Sequence, residues 1–385
     1  MHDAMQVRER WTMGAEARAL VLVTAVLTAF GLATLYSASA FVAMQADHDS
    51  TFYFLKQLAG VAAGMLAFAL AAKFDADKLE KYAWPAMIAT IVLMLITVLP
   101  FTKAIAPPIN GSRRFILGAS LQPSEFGKLA VVVWTSMLVL KKGEQMRRLT
   151  KGLLPFLVVI GFLDILAFFQ PDLSVAMMFT LMMGIILFAA EVRIGHFILL
   201  GMLAAPLLWH EIEKRQYAMS RLLSFMGSGD APEAINFQLR QSLIAVGSGG
   251  IVGKGFGQGL QQYGWVPFGY NDFIASNIGE EWGFVGITFI TVAFALYAWL
   301  GFRIARQARS RFLQLVAIGL TCTTAITAYL HIGVVIGLLP TTGLTLPFVS
   351  FGRSNLLLSF VLTGILVNIG SAREKVYGAA ATAPV

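Results

Sequence analysis

The chain has 385 residues, 57% of them hydrophobic and 13% charged, with a formal net charge of +8 and a mean hydropathy of +0.72. Soluble domains carry roughly 25% charge, so this chain has too little polar surface to coat a globule in water. Its bases lie mostly in short loops, which suits membrane topology and not nucleic-acid binding.

A bilayer core demands roughly 20 apolar residues per helix, and such runs recur. In chain order they predict about ten transmembrane helices, at 20–41, 54–72, 83–99, 124–140, 153–169, 173–190, 195–209, 278–302, 312–338 and 348–369. The fold class is therefore an all-α polytopic membrane protein. The first run follows Arg8, Arg10 and Arg18, but it is too long for a signal-peptide core and reads as a retained helix. Several runs are short, which implies tilting or an aqueous cavity beside them. The single Cys322 lies in an apolar run, so no internal disulfide forms.

Lysine and arginine set the orientation. The loop at 42–51 has none, and neither do the short fifth and ninth loops. The second loop holds Lys73, Lys78 and Lys81, and the fourth holds Lys141, Lys142, Arg147, Arg148 and Lys151. The eighth holds Arg303, Arg306, Arg309 and Arg311. Both termini are thus expected in the cytoplasm. The expected organisation is a cytoplasmic segment at 1–19, an integral membrane domain at 20–370 and a cytoplasmic tail at 371–385. A large extracytoplasmic loop, at about 211–276, separates the seventh and eighth spans. Two outward segments carry bases: 103–121 with Arg113 and Arg114, and 211–276 with Lys214, Arg215, Arg221, Arg240 and Lys254. These are either solvated loop charges or a surface for an anion such as a pyrophosphate.

Several soluble-enzyme motifs fail. GSGGIVGKGFGQG at 247–259 has Ser248 where a phosphate loop needs its first glycine, and Gly255 after Lys254. No glycine falls at the sixth position of a GxGxxG either. Its glycines imply a flexible loop, or a backbone that folds tightly or lies close to a ligand. His210-Glu211 is followed by Lys214, not by a second zinc-binding histidine. Gly-Ser-Gly at 227–229 and 247–249 would suit an intramembrane serine protease with His331 only if a serine opened a helix, and both read as loop.

The acids stand out more. Asp272, in PFGYNDFIASNIGEEWG, is either a helix N-cap or a desolvated carboxylate with a pKa raised toward that of a general base. Glu280 and Glu281 follow on the same helix, where each must pair with an outer-face base or hold a divalent cation. Gln122-Pro123-Ser124-Glu125 reads as a helix start, with Glu125 and Lys128 spaced to pair. Pro171-Asp172 reads as another, with Asp172 as cap. Asp164 lies inside the fifth span, which makes it a functional candidate by default. His331 reads as a buried, hydrogen-bonded side chain. The Pro/Gly-rich stretch LPTTGLTLP at 339–347, with FVSFGRSN at 348–355, implies a re-entrant break lining a cavity.

Six segments together resemble the SEDS family, the FtsW/RodA-type peptidoglycan glycosyltransferases. They are NGSRRFI (110–116), LQPSEFGKL (121–129), QPDLS (170–174), FQLRQSLIAVGSGGIVGKGFGQG (237–259), NDFIASNIGEEWGF (271–284) and LLPTTGLTLPFVSFGRSN (338–355). The first, second and last look closer to the division branch than to the elongation branch. The resemblance implies polymerisation of lipid II on the outer face of the bacterial cytoplasmic membrane, at the division septum. Asp272 would be the catalytic base toward the acceptor GlcNAc 4-hydroxyl. Arg113, Arg114, Lys128 and Lys254 would hold the leaving undecaprenyl pyrophosphate, with Gln122, Glu125 and Ser350 as further substrate contacts. Glu280 and Glu281 would support the site. A divalent cation, Mg2+ or Mn2+, is expected, and no organic cofactor. The implied partners are a class B penicillin-binding transpeptidase, divisome proteins and membrane lipids. The sequence departs from the family pattern at His331, where asparagine is common, at Arg353, where glycine is common, and at Tyr270-Asn271. The rival readings are a lipid II flippase with a midplane site, a non-catalytic scaffold and an elongation-type polymerase. Polar groups concentrate on the outer side, which favours outward chemistry over alternating access.

Overall fold

The structure, a computed structural model, describes residues 7–108, 112–116, 121–227 and 233–377. Asn110 and Gly111 of the first family segment, the Ser-Gly of the 227–229 motif and the tail at 378–385 lie outside these residues. The chain folds as helices α1 (Ala15–Gln45), α2 (Phe52–Lys73), α3 (Leu79–Val98), α4 (Pro123–Lys142), α5 (Leu154–Phe169) and α6 (Leu173–Ala189). Then come α7 (Ile194–Lys214), α8 (Gln216–Phe225), α9 (Glu233–Ser248), α10 (Ile274–Arg306), α11 (Arg311–Val335) and α12 (Arg353–Ile369).

Seven helical stretches among the described residues are long and apolar enough to cross a membrane, and α6 and α12 are shorter apolar helices. The protein is a multi-pass helical membrane protein. Burial separates the helices by role. The apolar windows around α4 and α11 are 78% and 72% buried, against 17% for α2, so α4 and α11 form the centre and α2 faces outward. The expected outer loop at 211–276 is partly helical: α7 runs on to Lys214, and α8 and α9 follow. Neither α8 nor α9 carries an uninterrupted apolar run, so hydropathy alone does not reveal them.

Strand β1 (Val7–Met13) pairs antiparallel with β2 (Ser371–Tyr377), which brings the first and last described segments to one end of the bundle. The basic loops gather there. Arg303 meets Glu16 at 3.1 Å, Arg309 meets Asp75 and Asp77 at 3.4 and 2.7 Å, and Arg311 meets Glu191 at 3.6 Å. The 33 residues of α10, at roughly 1.5 Å rise each, carry the chain to the opposite end. Asp272 therefore sits at the end away from the β1–β2 pair.

α10 is broken at Gly283, with φ 64° and ψ −155°, a conformation that other residues rarely adopt. A break strands backbone groups, which must find partners when buried. The glycine-rich segment supplies them. The N–H groups of Lys254 and Gly255 donate to the carbonyls of Glu280 (2.9 Å) and Glu281 (3.0 Å). The N–H groups of Phe284 and Val285 donate to the carbonyls of Gly250 (2.9 Å) and Ile251 (3.1 Å). A Cβ added at Gly283 would lie 2.3 Å from the Gly253 nitrogen. Of the sequence readings of residues 247–259, the structure matches the tightly folded backbone. The backbone lies against α10 as a splint.

Between α11 and α12 the chain runs without helix, as the Pro/Gly-rich stretch implied, and the last helix begins at Arg353 instead of 348. α1 lets this segment approach closely: a Cβ on Gly31 would lie 2.6 Å from the Phe348 oxygen. Ser350 ties the segment to the Asp272 loop. Its hydroxyl donates to the Asn271 carbonyl at 2.7 Å and accepts the Leu346 N–H at 2.9 Å. Phe351 N–H donates to the Tyr270 carbonyl at 3.1 Å. His331 fastens the other side, with Nδ1 2.7 Å from the Leu344 oxygen.

Candidate active site

Asp272 precedes α10 by two residues. The cap position belongs to Phe273, and no side chain caps the helix. The N-cap reading of Asp272 is overturned, because the chain turns once more before the helix starts. Its carboxylate faces two chambers. The first, of 290 Å³, is also lined by Arg114, Glu125, Lys128, Asp172 and Asn271. The second, of 310 Å³, is also lined by Arg114, Asp172, Arg221, Leu173 and Met177. Gly343 borders both. A Cβ placed on it would sit 3.6 Å from Arg221 Nη2 and 3.7 Å from Asp272 Oδ2, so the two side chains converge on one spot. A third chamber, of 350 Å³ and almost wholly apolar, shares Leu173, Ser174, Met177 and Thr342 with the second.

Asp272 is half-buried by area only because the chambers open beside it. Protein encloses it on its other sides. That burial pushes its carboxyl up to about 6, against the pull of the Arg114 and Arg221 guanidiniums and with a smaller push from Asp172. Asp172 caps α6 as expected, accepting the Val175 N–H at 3.2 Å. Its other oxygen lies 3.6 Å from Arg114 and accepts from Gln122 Nε2 at 3.2 Å. Four elements thus converge: the segment before α4 brings Arg114, the start of α6 Asp172, α8 Arg221, and the turn before α10 Asp272.

The other predicted residues divide cleanly. Glu125 and Lys128 pair at 2.8 Å inside the first chamber's wall, 7% and 2% exposed. Arg113 is outside both linings. Its guanidinium donates to the Ala106 carbonyl (2.9 Å), the Leu99 carbonyl (2.8 Å) and Thr102 Oγ1 (3.0 Å), so it closes the end of α3. Lys254 is also outside, bound to Glu280 at 2.7 Å. Glu280 further accepts the N–H groups of Leu260 and Gln261, at 3.0 and 2.9 Å. Glu281 accepts from Ser37 of α1. Both glutamates brace the splint. Ser350 positions the Asp272 turn through the backbone. Asp164 accepts from Thr180 at 2.7 Å on the wall of the apolar chamber. Sequence reading counted Arg221 among five bases of a long outer segment, solvated or facing an anion, and Asp172 as a helix cap, and joined neither to Asp272. Their convergence on Asp272 depends on contacts far apart in the chain, which spacing does not encode.

The fold and site define a multi-pass membrane protein with a charged pocket at the end of the bundle away from the β1–β2 pair, bordered by an apolar chamber. Such a pocket suits an anionic amphiphile. The cell cycle protein family that groups FtsW, RodA and SpoVE matches residues 17–375. The chain belongs to this family. It is 34% identical over 354 residues to the probable peptidoglycan glycosyltransferase FtsW of Trichlorobacter lovleyi, covering 91% of this chain and 92% of that one. It is equally identical over 355 residues to the stage V sporulation protein E of Bacillus subtilis, covering 91% and 95%. Two solved structures share the fold. A chain from a work titled "Structural coordination of polymerization and crosslinking by a peptidoglycan synthase complex" gives a TM-score of 0.75 at 23% identity, over 92% of this chain and 97% of that one. The rod shape determining protein RodA of Thermus thermophilus gives 0.66 at 23% identity, over 91% and 95%.

Proposed function

We propose that this protein is a peptidoglycan glycosyltransferase that polymerises lipid II into glycan strands for septal wall synthesis. The observation that carries the mechanism is Asp272, enclosed by protein and free of any capping bond, between two chambers with Arg114 and Arg221 beside it. Asp272 takes the proton of the acceptor GlcNAc 4-hydroxyl. That oxygen forms a bond to the anomeric carbon of the donor MurNAc, and the bond from this carbon to the diphosphate oxygen breaks. Undecaprenyl pyrophosphate leaves with the electron pair. Arg114 and Arg221 hold the charge that develops on it, which is worth most in a site shielded from water. General-base assistance contributes about 10²–10⁴ in rate. The apolar chamber beside Leu173 and Met177 receives the first isoprene units.

No three His, Cys, Asp or Glu side chains gather as metal ligands among the described residues. Asp172 is already held by Arg114, Gln122 and the Val175 N–H. A divalent cation would therefore be held chiefly by the diphosphate oxygens of the substrate and not by a cage of side chains.

The same reading places both termini and the basic loops in the cytoplasm and the Asp272 end outside, in the bacterial cytoplasmic membrane. It keeps ten spans, with α7 as the seventh and α8 and α9 within the outer segment 211–276. A class B penicillin-binding transpeptidase and other divisome proteins are the proposed partners. The test uses purified full-length protein with labelled lipid II. Glycan chains that disappear in Asp272→Asn support the polymerase. Lipid crossing vesicles without polymer supports a flippase. Neither activity, with transpeptidase binding intact, supports a scaffold. Depletion that yields filaments assigns the division role, and round cells assign elongation.

A further inference from the structure

The Glu125–Lys128 pair is spaced by one helical turn, yet its surroundings are unlike those of an ordinary helix-surface pair. Lys128 is almost wholly buried, and its ammonium makes one hydrogen bond among the described residues, to Glu125 Oε1 at 2.8 Å. An ammonium has three hydrogens to place. Glu125 Oε2 is buried and has no partner. A buried polar atom left unpaired costs free energy and calls for an explanation. Both side chains line the first chamber. Asn271, on the same wall, also leaves its Oδ1 buried and unpartnered.

This inventory does not suit a diphosphate. A carboxylate 2.8 Å from the ammonium cancels its charge and would repel a phosphate. The unpaired oxygens of Glu125 and Asn271 are acceptors, and a diphosphate at neutral pH offers acceptors in return. They require a ligand that carries N–H or O–H. The arginines serve an anion better: Arg114 lines both chambers, Arg353 lines the first, and Arg221 lines the second, which shares Leu173, Ser174, Met177 and Thr342 with the apolar chamber. The wall of the first chamber formed by Glu125, Lys128 and Asn271 is left for the neutral part of the substrate.

We propose that Glu125 and Lys128 form a sugar-reading pair: Glu125 Oε2 accepts the N–H of a 2-acetamido sugar, and Lys128 Nζ donates to the neighbouring oxygen on C3. These two groups are vicinal on the ring, so they present a donor and an acceptor side by side, as the pair presents an acceptor and a donor. Replacing the amide N–H by an ester oxygen, as in a 2-O-acetyl analogue, keeps the shape of the group and removes the donor that Glu125 Oε2 needs. The role is one of specificity. It rests on lipid II being the substrate, and it corrects the reading of Lys128 as a diphosphate clamp. Both sugars of lipid II carry the acetamido group, and the test separates them.

The test measures binding by the full-length chain in lipid nanodiscs, carrying Asp272→Asn to stop turnover. The probes are lipid II and two analogues in which the 2-acetamido group of GlcNAc or of MurNAc is replaced by 2-O-acetyl. One modified form binds at least about tenfold more weakly than lipid II, as loss of a buried charge-assisted hydrogen bond requires, and that form names the sugar. In the further variant Glu125→Gln with Lys128→Met, which leaves no unpaired buried charge, the preference falls to within about twofold. A merely structural pair would weaken all three probes together. Equal binding of the three probes to the chain with Glu125 and Lys128 intact overturns the proposal without reference to how the variant folds. Failure of lipid II itself to bind overturns instead the function on which it rests.

Discussion

Two groups of acids lie along the start of α10 and do opposite things. Asp272 stands just before the helix beside open chambers, with no capping bond and with two arginines near enough to pull on its charge. Glu280, within the helix, is 1% exposed and saturated by Lys254 and two backbone N–H groups. The same residue class serves as a reagent where its lone pairs are free and as a strut where they are filled. Unused hydrogen-bonding capacity beside a cavity distinguishes the two, and neither burial nor charge alone does so.

Substitutions sharpen that contrast. Asp272→Asn should lower polymerisation by about 10³-fold or more, the general-base share together with a misplaced proton, while the melting temperature holds or rises because a desolvated carboxylate is removed. Glu280→Gln should do the reverse. It should cost about 3 kcal/mol of stability by leaving Lys254 and buried N–H groups without a full carboxylate, read as a lower melting temperature, with turnover per folded molecule nearly unchanged. Arg221→Ala should lower kcat by about 10²-fold, the size of one lost group that stabilises a leaving charge. The smallest effect falls on Arg113, whose neighbour Arg114 lines both chambers. Arg113→Ala should cost about 1–2 kcal/mol of stability by freeing two carbonyls and should leave kcat within twofold. If Arg113→Ala proves as inactive as Arg114→Ala, the division between them is wrong.

The membrane spans were legible because a run of apolar residues needs no partner to be recognised, and Asp272 was legible through a segment shared with a family. The break at Gly283 was not, since a lone glycine inside an apolar helix is usually tolerated, and only the docked segment at 250–255 explains it. α8 and α9 were missed for want of an apolar run. Arg221 was legible as a base but not as a neighbour of Asp272, because α8 reaches the site only through the tertiary fold. Lys254 misled for the same reason: its charge was visible and its partner Glu280 was not.

The pH dependence of polymerisation tests the base most directly. Asp272 must be ionised to accept a proton, and burial raises its pKa to about 6, so kcat/KM should rise as pH increases through that value and level off above it. Removing Arg221, which stabilises the ionised form, should move the midpoint to higher pH. Replacing Asp172 by Asn, which removes a like charge, should move it lower. A profile that is flat from pH 5 to 8, or one that keeps its midpoint in both variants, would contradict the assignment of Asp272 as the base.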